Sequence, residues 1–522
     1  MSTLLGLDVG TTGCKAVLFD GDGTLLASAS REYSVDLPRP GWAEQDSDRV
    51  WVLALEAMAE AIAAAGVSEV DAIGLSVHGE AVTPVDVAGR PLRPTILGMD
   101  TRTERENDWL REHLGSDFLV GHTGMPLHTV NTLPKLLWLR DHEPEIWRDA
   151  ASFLLVEGFL LQRMTGRVAT SECLASRTQL FNIIDGGWDP EILDAVGLDG
   201  RRLGELLPSG SPVGRLRDDL ADALNLRQAP LVVTGGHDQA CGALGAGVTR
   251  PGLASVSTGT AEVVEVVLPA PVLEPALADA GLSVYRHVVP GAYLAMTLNH
   301  SGGLSLRWFR DGFCEPQQGA AESTGRDAYE LILAEAPDRP TDLLVMPHFA
   351  GRGTPAPDPS SRAAIVGLTF ATTRGEVARA ILEGLTFELR ANLDLLAGAG
   401  VEIDTLRAIG GGARSPQWLQ LKADITGIPV AVPRVTEAAA LGAALLAGVG
   451  AGIFASAAAA ADACLRIAET RTPDPARQRF YDQRYALYRG LYPALAPFNR
   501  GLGRLDGAGE VLANDAGGLR PG

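Results

Sequence analysis

The sequence predicts a layered α/β protein in which one strand–turn–strand theme occurs twice. Three observations carry this expectation. Short apolar runs that end in glycine or carboxylate turns alternate with capped, amphipathic helical stretches. The opening unit, a strand, a Gly-Thr turn and a second strand, is echoed after residue 250. The 522 residues are enough for two or three domains with large cores.

Taken in order, Leu4-Leu5-Gly6-Leu7-Asp8 reads as a strand, Gly10-Thr11-Thr12-Gly13 as a turn, and Ala16-Val17-Leu18-Phe19 as its partner. Asp20-Gly21-Asp22-Gly23 then turns the chain into Thr24-Leu25-Leu26-Ala27. Asp46 or Ser47 caps a helix with Val50, Leu53, Met58 and Ile62 on one face, and Gly66 ends it. Ala72 to Val77 is a strand that runs into His78-Gly79-Glu80. The pattern restarts near residue 230, where Leu231-Val232-Val233 leads through Gly235-Gly236-His237-Asp238 into a helix of small residues. Turn chemistry at Thr249-Arg250-Pro251-Gly252 places a boundary between domains spanning 1–248 and 253–495. Beyond it, Ala254 to Ser257, Thr258-Gly259-Thr260 and Glu262 to Leu268 repeat the opening unit.

Thr373 and Glu376 form a capping box for a helix whose apolar face carries Val377, Ile381, Leu385 and Leu389. A strand over Thr405 to Ile409 enters Gly410-Gly411-Gly412-Ala413-Arg414, after which Ser415 caps and Pro416 opens a helix to about Thr426, with Gly427 at its end. Ala438 to Ala461 holds no charge and is long enough to span a bilayer. Its alanine content, broken by Gly448, Gly450 and Gly452, predicts instead two short, closely packed helices joined by a glycine turn. The stretch 500–522 is rich in Gly and polar residues and is expected to be mobile.

Composition narrows the partners. With 44 Lys+Arg against 64 Asp+Glu the formal charge is −20, which repels nucleic acid and anionic membranes but leaves room for a phosphorylated ligand held by backbone N–H groups. Apolar residues at 46% and charged ones at 21% are those of a globular chain, not a disordered one. Cys14, Cys173, Cys241, Cys314 and Cys464 are scattered and never form a CxxC pair, so we expect a reducing cytoplasm, no disulfide framework and no zinc. Met1-Ser2-Thr3-Leu4-Leu5 lacks a basic segment and meets Asp8 at once, so no secretory signal is expected.

Several places could carry chemistry. Asp8 at a strand end, followed by Thr11 and Thr12, offers a carboxylate for a magnesium ion held through water, with N–H and hydroxyl donors for phosphate; the same residues also make an ordinary hairpin. Thr258-Gly259-Thr260 would be the matching turn of the second half, or a plain tight turn. Gly410-Gly411-Gly412, between strand and capped helix, admits a nucleotide close to the backbone, or serves only packing. Asp238 could take a proton from a hydroxyl nucleophile, or cap the helix it opens. His78, Gly79, Glu80, Asp100 and Arg102 end neighbouring strands with the mixed donors and acceptors that an alcohol-rich ligand requires.

Together these motifs resemble a family. Leu7-Asp8-Val9-Gly10-Thr11-Thr12, Gly41-Trp42-Ala43-Glu44-Gln45-Asp46, His78-Gly79, Pro134-Lys135-Leu136-Leu137-Trp138-Leu139, Gly235-Gly236-His237-Asp238, Pro347 to Pro355, Gly367-Leu368-Thr369 and Gly410 to Ser415 are similar, in order, to FGGY carbohydrate kinases, with the greatest likeness to xylulokinases. The resemblance implies two RNase H-like domains of the actin and hexokinase (ASKHA) type around a central cleft, the first carrying the sugar and the second the nucleotide. It implies ATP and Mg²⁺, with Asp238 as general base and substrate contact, Asp8 at the metal, and His78, Gly79, Glu80, Asp100 and Arg102 at the sugar. Thr11, Thr12, Lys15, Thr260, Gly303, Gly411, Gly412 and Ala413 would face the nucleotide. The partners implied are a small sugar or polyol and ATP, with a homodimer left open.

Four positions depart from the family pattern, and the first three of them flank the sugar. Gly98 stands where xylulokinases have Trp, Gly-His-Asp-Gln where they have Gly-Gly-Asp-Asn, Glu80 where Ala is common, and Val130 at the start of the Pro-x-Lys segment. They leave the choice open among xylulose, another ketose, a polyol and a sugar acid. Two other classes fit the sequence less well. An actin- or chaperone-like ATPase should place a carboxylate beside the second phosphate turn, yet no acid precedes Glu262; a two-carboxylate hydrolase leaves the paired turns unexplained. An acidic chain that binds a tetra-anionic nucleotide requires a divalent cation, so EDTA should abolish sugar-dependent ADP release and Asp8→Asn should raise the magnesium requirement; full activity in EDTA would overturn the kinase reading.

Overall fold

The computed structural model describes residues 2–516, with side chains described as far as residue 503. Its first sheet begins as expected. β1 (Thr3–Val9), β2 (Gly13–Asp20) and β3 (Leu25–Glu32) form an antiparallel meander, with Asp8 directly opposite Lys15. Helix α1 (Ser47–Ala65) starts where Asp46 accepts the N–H groups of Asp48 and Arg49, and it ends at Gly66 in the left-handed conformation. Its buried face, which includes Val50, Leu53, Met58 and Ile62, covers this sheet. β4 (Ala72–Val77), buried along its whole length, runs parallel to β1 and sets Ser76 beside Asp8. β5 (Pro212–Arg215) and β6 (Leu231–Val233) extend the sheet, and β7 (Gly236–His237) pairs with the end of β4. The order is β5-β6-β4-β1-β2-β3. Helix α2 (Asp238–Gly245) follows at once.

The second sheet holds β8 (Gly252–Thr258), β9 (Glu262–Leu268), β10 (Ser283–Arg286), β11 (Tyr293–Asn299), β12 (Ile403–Ile409), β13 (Val430–Pro433) and β14 (Ile467–Arg471), in the order β10-β11-β9-β8-β12-β13-β14. The run β11-β9-β8-β12-β13 matches β3-β2-β1-β4-β6 strand for strand, which is the duplication expected from the two Gly-Thr turns. Helix α3 (Arg374–Gly398) carries the expected capping box, and α4 (Pro416–Thr426) has Ser415 as its cap and left-handed Gly427 at its end. The chargeless stretch forms α5 (Ala438–Gly450) and α6 (Ala457–Cys464). Among the described residues no helix is long and apolar enough to cross a membrane. All five cysteines are free and buried. The stretch expected to be mobile from residue 500 continues a helix, Leu491–Ala516, and 517–522 lie outside the described residues.

The chain divides into two compact units: Met1–Ser255 with Glu265–Met296 and Val432–Glu469, and Val256–Val264 with Thr297–Ala431 and Thr470–Gly522. This differs from the contiguous 1–248 and 253–495. The reason lies partly in α5, which packs on β1 and β4 at backbone distance. A Cβ on Gly6 would come within 1.9 Å of the Ala440 carbonyl oxygen, and one on Gly74 within 2.0 Å of that of Ala443. α5 meets α2 in the same way, through Gly442 against Cys241 and Gly245 against Ala438. No side chain fits there, so Gly74→Ala should destabilise the protein by about 3 kcal/mol or more through overpacking, read as a lower urea midpoint. A midpoint equal to that of the parent would show that helix and strand are free to separate.

Candidate active site

The first unit gathers two carboxylates. Asp8 is the next-to-last residue of β1, and its Oδ1 accepts the Ser76 hydroxyl at 2.7 Å. Burial raises its pKa to about 6, against the opposing pull of Ser76 and Lys15. Asp238 is the first residue of α2, and the N-cap position belongs to His237, so Asp238 is not the cap that its place in the sequence allowed. Its side chain, 28% exposed, accepts the Gln239 N–H at 2.7 Å. Burial first, and the charge of Asp8 second, push its carboxyl up to about 8. A carboxylate so raised binds protons at neutral pH, which suits a general base that must hold the proton it removes. The segment before it is fixed by Glu157, a fully buried carboxylate on the 156–165 helix that accepts the N–H groups of Ser171 and Gly235 at 2.6 Å each.

The hairpin after Asp8 closes with Gly10 N–H donating to Gly13 at 2.9 Å, while Gln45 donates to the Thr11 carbonyl. Thr12 is exposed. Lys15 pairs with Glu437 at 2.7 Å, immediately before α5.

Glu80 sits beyond β4 with φ of 62°, a left-handed conformation that costs a non-glycine residue energy. Two contacts hold it. The Thr132 hydroxyl donates to its carbonyl at 2.9 Å, and the Arg177 guanidinium bonds its Oε1. Burial alone would raise the Glu80 carboxyl, but Arg177, His237 and Lys135 hold it below the ordinary range, so it is charged. His78 is buried and neutral, its pKa lowered to about 4 by burial. Gly79 is required because a Cβ there would meet the His237 ring at 2.8 Å.

The sugar-side departures meet at one point. A Cβ on Gly98 would lie 3.6 Å from the Gly79 carbonyl oxygen, 3.6 Å from Val130 Cγ2 and 3.7 Å from Glu80 Oε2. Val130 is held there by Lys135, whose ammonium donates to the carbonyls of Thr129, Val130 and Asn131. Asp100 and Arg102 stand further back. Asp100 is fully buried and accepts the Ala43 N–H at 2.6 Å and the Arg102 guanidinium. Arg102, its side chain 1% exposed, stacks over Trp42 at 3.7 Å and also bonds Glu44. Both are occupied within the protein, and they buttress the loop that carries Gly98.

In the second unit, three predicted segments converge on one turn. The Gly303 N–H donates to the Gly259 carbonyl at 2.7 Å, and the Gly302 N–H to that of Thr260 at 2.9 Å. Gly410, in the left-handed region, and Gly412 lie so close to Thr258 that a Cβ on either would come within 2.7 Å of it. Gly259, Thr260 and Gly411 remain exposed, and Ala413 lies in the short 3₁₀ turn Gly411–Arg414. The support beneath was missed from the sequence. Lys422 donates to Glu262 Oε2 at 2.5 Å and to the Thr258 hydroxyl at 2.6 Å, with both charged side chains at most 2% exposed. A lysine on the buried face of α4, among Trp418, Leu419 and Leu421, was the available signal.

A divalent cation fits the first unit in charge: burial raises both carboxylates, and the charge of Asp8 raises Asp238 further, so a cation beside Asp8 would offset both effects. Among the described residues no group of three His, Cys, Asp or Glu could hold a metal directly, so water and phosphate oxygens would supply the remaining ligands.

Comparison with known proteins shows the family. The N-terminal domain of the FGGY family of carbohydrate kinases matches residues 3–245, and its C-terminal domain residues 254–451. The chain is 31% identical over 494 residues to a xylulose kinase of Staphylococcus epidermidis, covering 94% of this chain and 96% of the other. It is 32% identical over 502 residues to an autoinducer-2 kinase of Escherichia coli K12, covering 94% of each. The crystal structure of a xylulose kinase from Rhodospirillum rubrum superposes with a TM-score of 0.85 at 28% identity, over 95% of this chain and all of that one.

If Asp238 is the base, Asp238→Asn should cut turnover by about 10²–10⁴-fold. A group whose folded pKa is raised from 3.8 to about 8 loses stability as pH climbs through that window, so the neutral variant should melt no lower than the parent at pH 8. Near-normal turnover in the variant would remove Asp238 from the chemistry.

Proposed function

This chain belongs to the FGGY family of carbohydrate kinases and is an ATP-dependent sugar kinase, and we propose that its acceptor is a neutral ketose, with a ketopentose such as xylulose ranked first. The observation that carries the catalytic reading is the Asp8–Asp238 pair, one carboxylate beside a hairpin of hydroxyls and the other at a helix start with a raised pKa. Asp238 takes the proton from the sugar hydroxyl as the sugar oxygen forms a bond to the terminal phosphorus of ATP, and the bond from that phosphorus to the β-phosphate oxygen breaks, its electron pair leaving with ADP. Thr11 and Thr12, with Thr260, Gly303, Gly411, Gly412 and Ala413, offer hydroxyl and N–H donors to the nucleotide, and Lys15 adds a cation beside Asp8. Magnesium, when bound with the nucleotide, neutralises phosphate charge, and Asp8 is the residue that would hold it through water.

His78, Gly79 and Glu80 would line the sugar, with Asp100 and Arg102 positioning the loop beside them. Glu80 Oε1 is committed to Arg177, which leaves Oε2, next to Gly98, as acceptor for a sugar hydroxyl. A charged Glu80 disfavours a ligand that brings its own carboxylate. The ATPase alternative has less support, because Glu262 is buried and its Oε2 is held by Lys422 and Thr258. A second reading, phosphorylation of autoinducer-2, is favoured by the 32% identity to that kinase.

A coupled ADP-release assay over ketopentoses, other ketoses, polyols, autoinducer-2 and aldonic acids separates these. Xylulose should give the highest kcat/KM and aldonic acids the lowest. Gluconate outperforming every neutral sugar would overturn the assignment of this pocket.

A further inference from the structure

Behind Asp238 lies a line of buried polar groups that the transfer reaction itself does not use. Tyr285, on β10, donates its hydroxyl proton to Glu265 Oε1, on β9. His237 Nδ1 lies 3.4 Å from the Tyr285 oxygen, and His237 Nε2 lies 3.3 Å from Asp238 Oδ1. The ring is clamped on one side by Gly79 and stands edge-on to Tyr285, with centroids 5.7 Å apart. Arg177 lies over the Tyr285 ring at 4.8 Å and bonds Glu80 and Ser283.

We infer that Glu265 and Tyr285 are positioning residues that fix the tautomer of His237, so that its Nε2 presents a lone pair to Asp238. The argument is one of hydrogen-bond polarity and rests on the reading of Asp238 as base. With its proton given to Glu265, the Tyr285 oxygen can only accept, so His237 must carry its proton on Nδ1. Nε2 is then an acceptor. It makes no hydrogen bond with an ionised Asp238, but it accepts one from the protonated carboxyl that exists once the sugar proton has moved. In that step the sugar O–H bond breaks, an O–H bond forms on Asp238, and the electron pair stays on the sugar oxygen. The arrangement therefore favours the state in which the base holds its proton.

The groups facing this line are Asp8 on β1, His78 and Glu80 beyond β4, and Cys173 and Arg177 on and after the 172–175 helix. Burial, with the charge of Arg177, lowers the His237 pKa to about 3, so the ring carries a single proton and its tautomer is decisive. Glu265 is raised to about 7 by burial, and its Oε2 has no hydrogen-bond partner. A proton on Oε2 would leave Oε1 still able to accept from Tyr285.

Replacing Glu265 with Leu frees the Tyr285 proton to turn toward Nδ1, which drives the imidazole proton to Nε2 and reverses the polarity at Asp238. Glu265→Gln keeps a carbonyl acceptor and serves as the rescue variant. The test is ¹⁵N NMR of histidine-labelled full-length protein, together with pH profiles of kcat on the best acceptor of the sugar panel. We expect His237 protonated on Nδ1 in the parent and in Glu265→Gln, and on Nε2 in Glu265→Leu. The acid limb of Glu265→Leu should fall by about one pH unit or more and its kcat by about 10-fold, with sugar KM little changed. Should Glu265→Leu fail to fold, Tyr285→Phe, which removes the acceptor for Nδ1–H, should shift the limb in the same direction. A parent His237 protonated on Nε2, or an unmoved acid limb in the folded variant, would overturn this inference alone. Full turnover in Asp238→Asn would overturn the base reading and the inference with it.

Discussion

The backbone-to-backbone seat of α5 on β1 and β4 is the constraint from which the geometry of the first unit follows. Gly6 and Gly74 bring the helix so close to the strands that no Cβ fits between them, and Gly442 and Gly245 seat α2 on it in the same way. Asp8 projects from the end of β1 and Asp238 from the start of α2. Their separation is therefore set by glycine contacts rather than by side chains that could repack. Interiors packed at crystal density transmit small displacements rather than absorbing them, so the proposed mechanism, in which both carboxylates act on one substrate, would benefit from a scaffold with no soft layer.

Around that scaffold the charged groups are buried with partners and used as fixings. Glu157 holds the strand before Asp238, Lys135 the loop of Val130, Arg177 the strained Glu80, and Lys422 the turn at Thr258. Each is a long side chain with its head group bonded to backbone or to an opposite charge. Removing one partner of such a pair typically costs about 3–5 kcal/mol, because the other is left buried and unpaired. Loops that would otherwise sample many conformations are thereby held in one, as catalysis by positioning requires.

Much of this was legible in the sequence because it rests on local chemistry. Asp46, the Thr373–Glu376 box, Ser415 with Pro416, and the glycines ending α1 and α4 act within a few residues of themselves, and so read directly from spacing. The two Gly-Thr turns revealed the duplication because each sits between strands of similar length. What stayed hidden depends on distant partners. Nothing near Asp100 says that the Ala43 N–H will bond it, and nothing near Glu80 points to Arg177. Gly98, Glu80 and Val130 read as three separate departures; only the fold makes them neighbours, where the absence of a side chain at 98 leaves room for the carboxylate at 80. The segments 265–296 and 432–469 crossed the expected domain boundary for the same reason, since their packing partners lie far away in the chain.

The seating of α5 also bears on how the protein comes into being. A growing chain emits β1 first and the helix that covers it more than 400 residues later, so the first sheet waits through most of synthesis with its glycine groove open. Closure of so long a loop is entropically slow, and a waiting sheet edge or apolar face is where nascent chains associate wrongly. A fragment cut at residue 255 would lack the helix altogether. The amino-terminal half is thus completed only by a helix more than 400 residues further along the chain, and its closure is tied to the arrival of that helix.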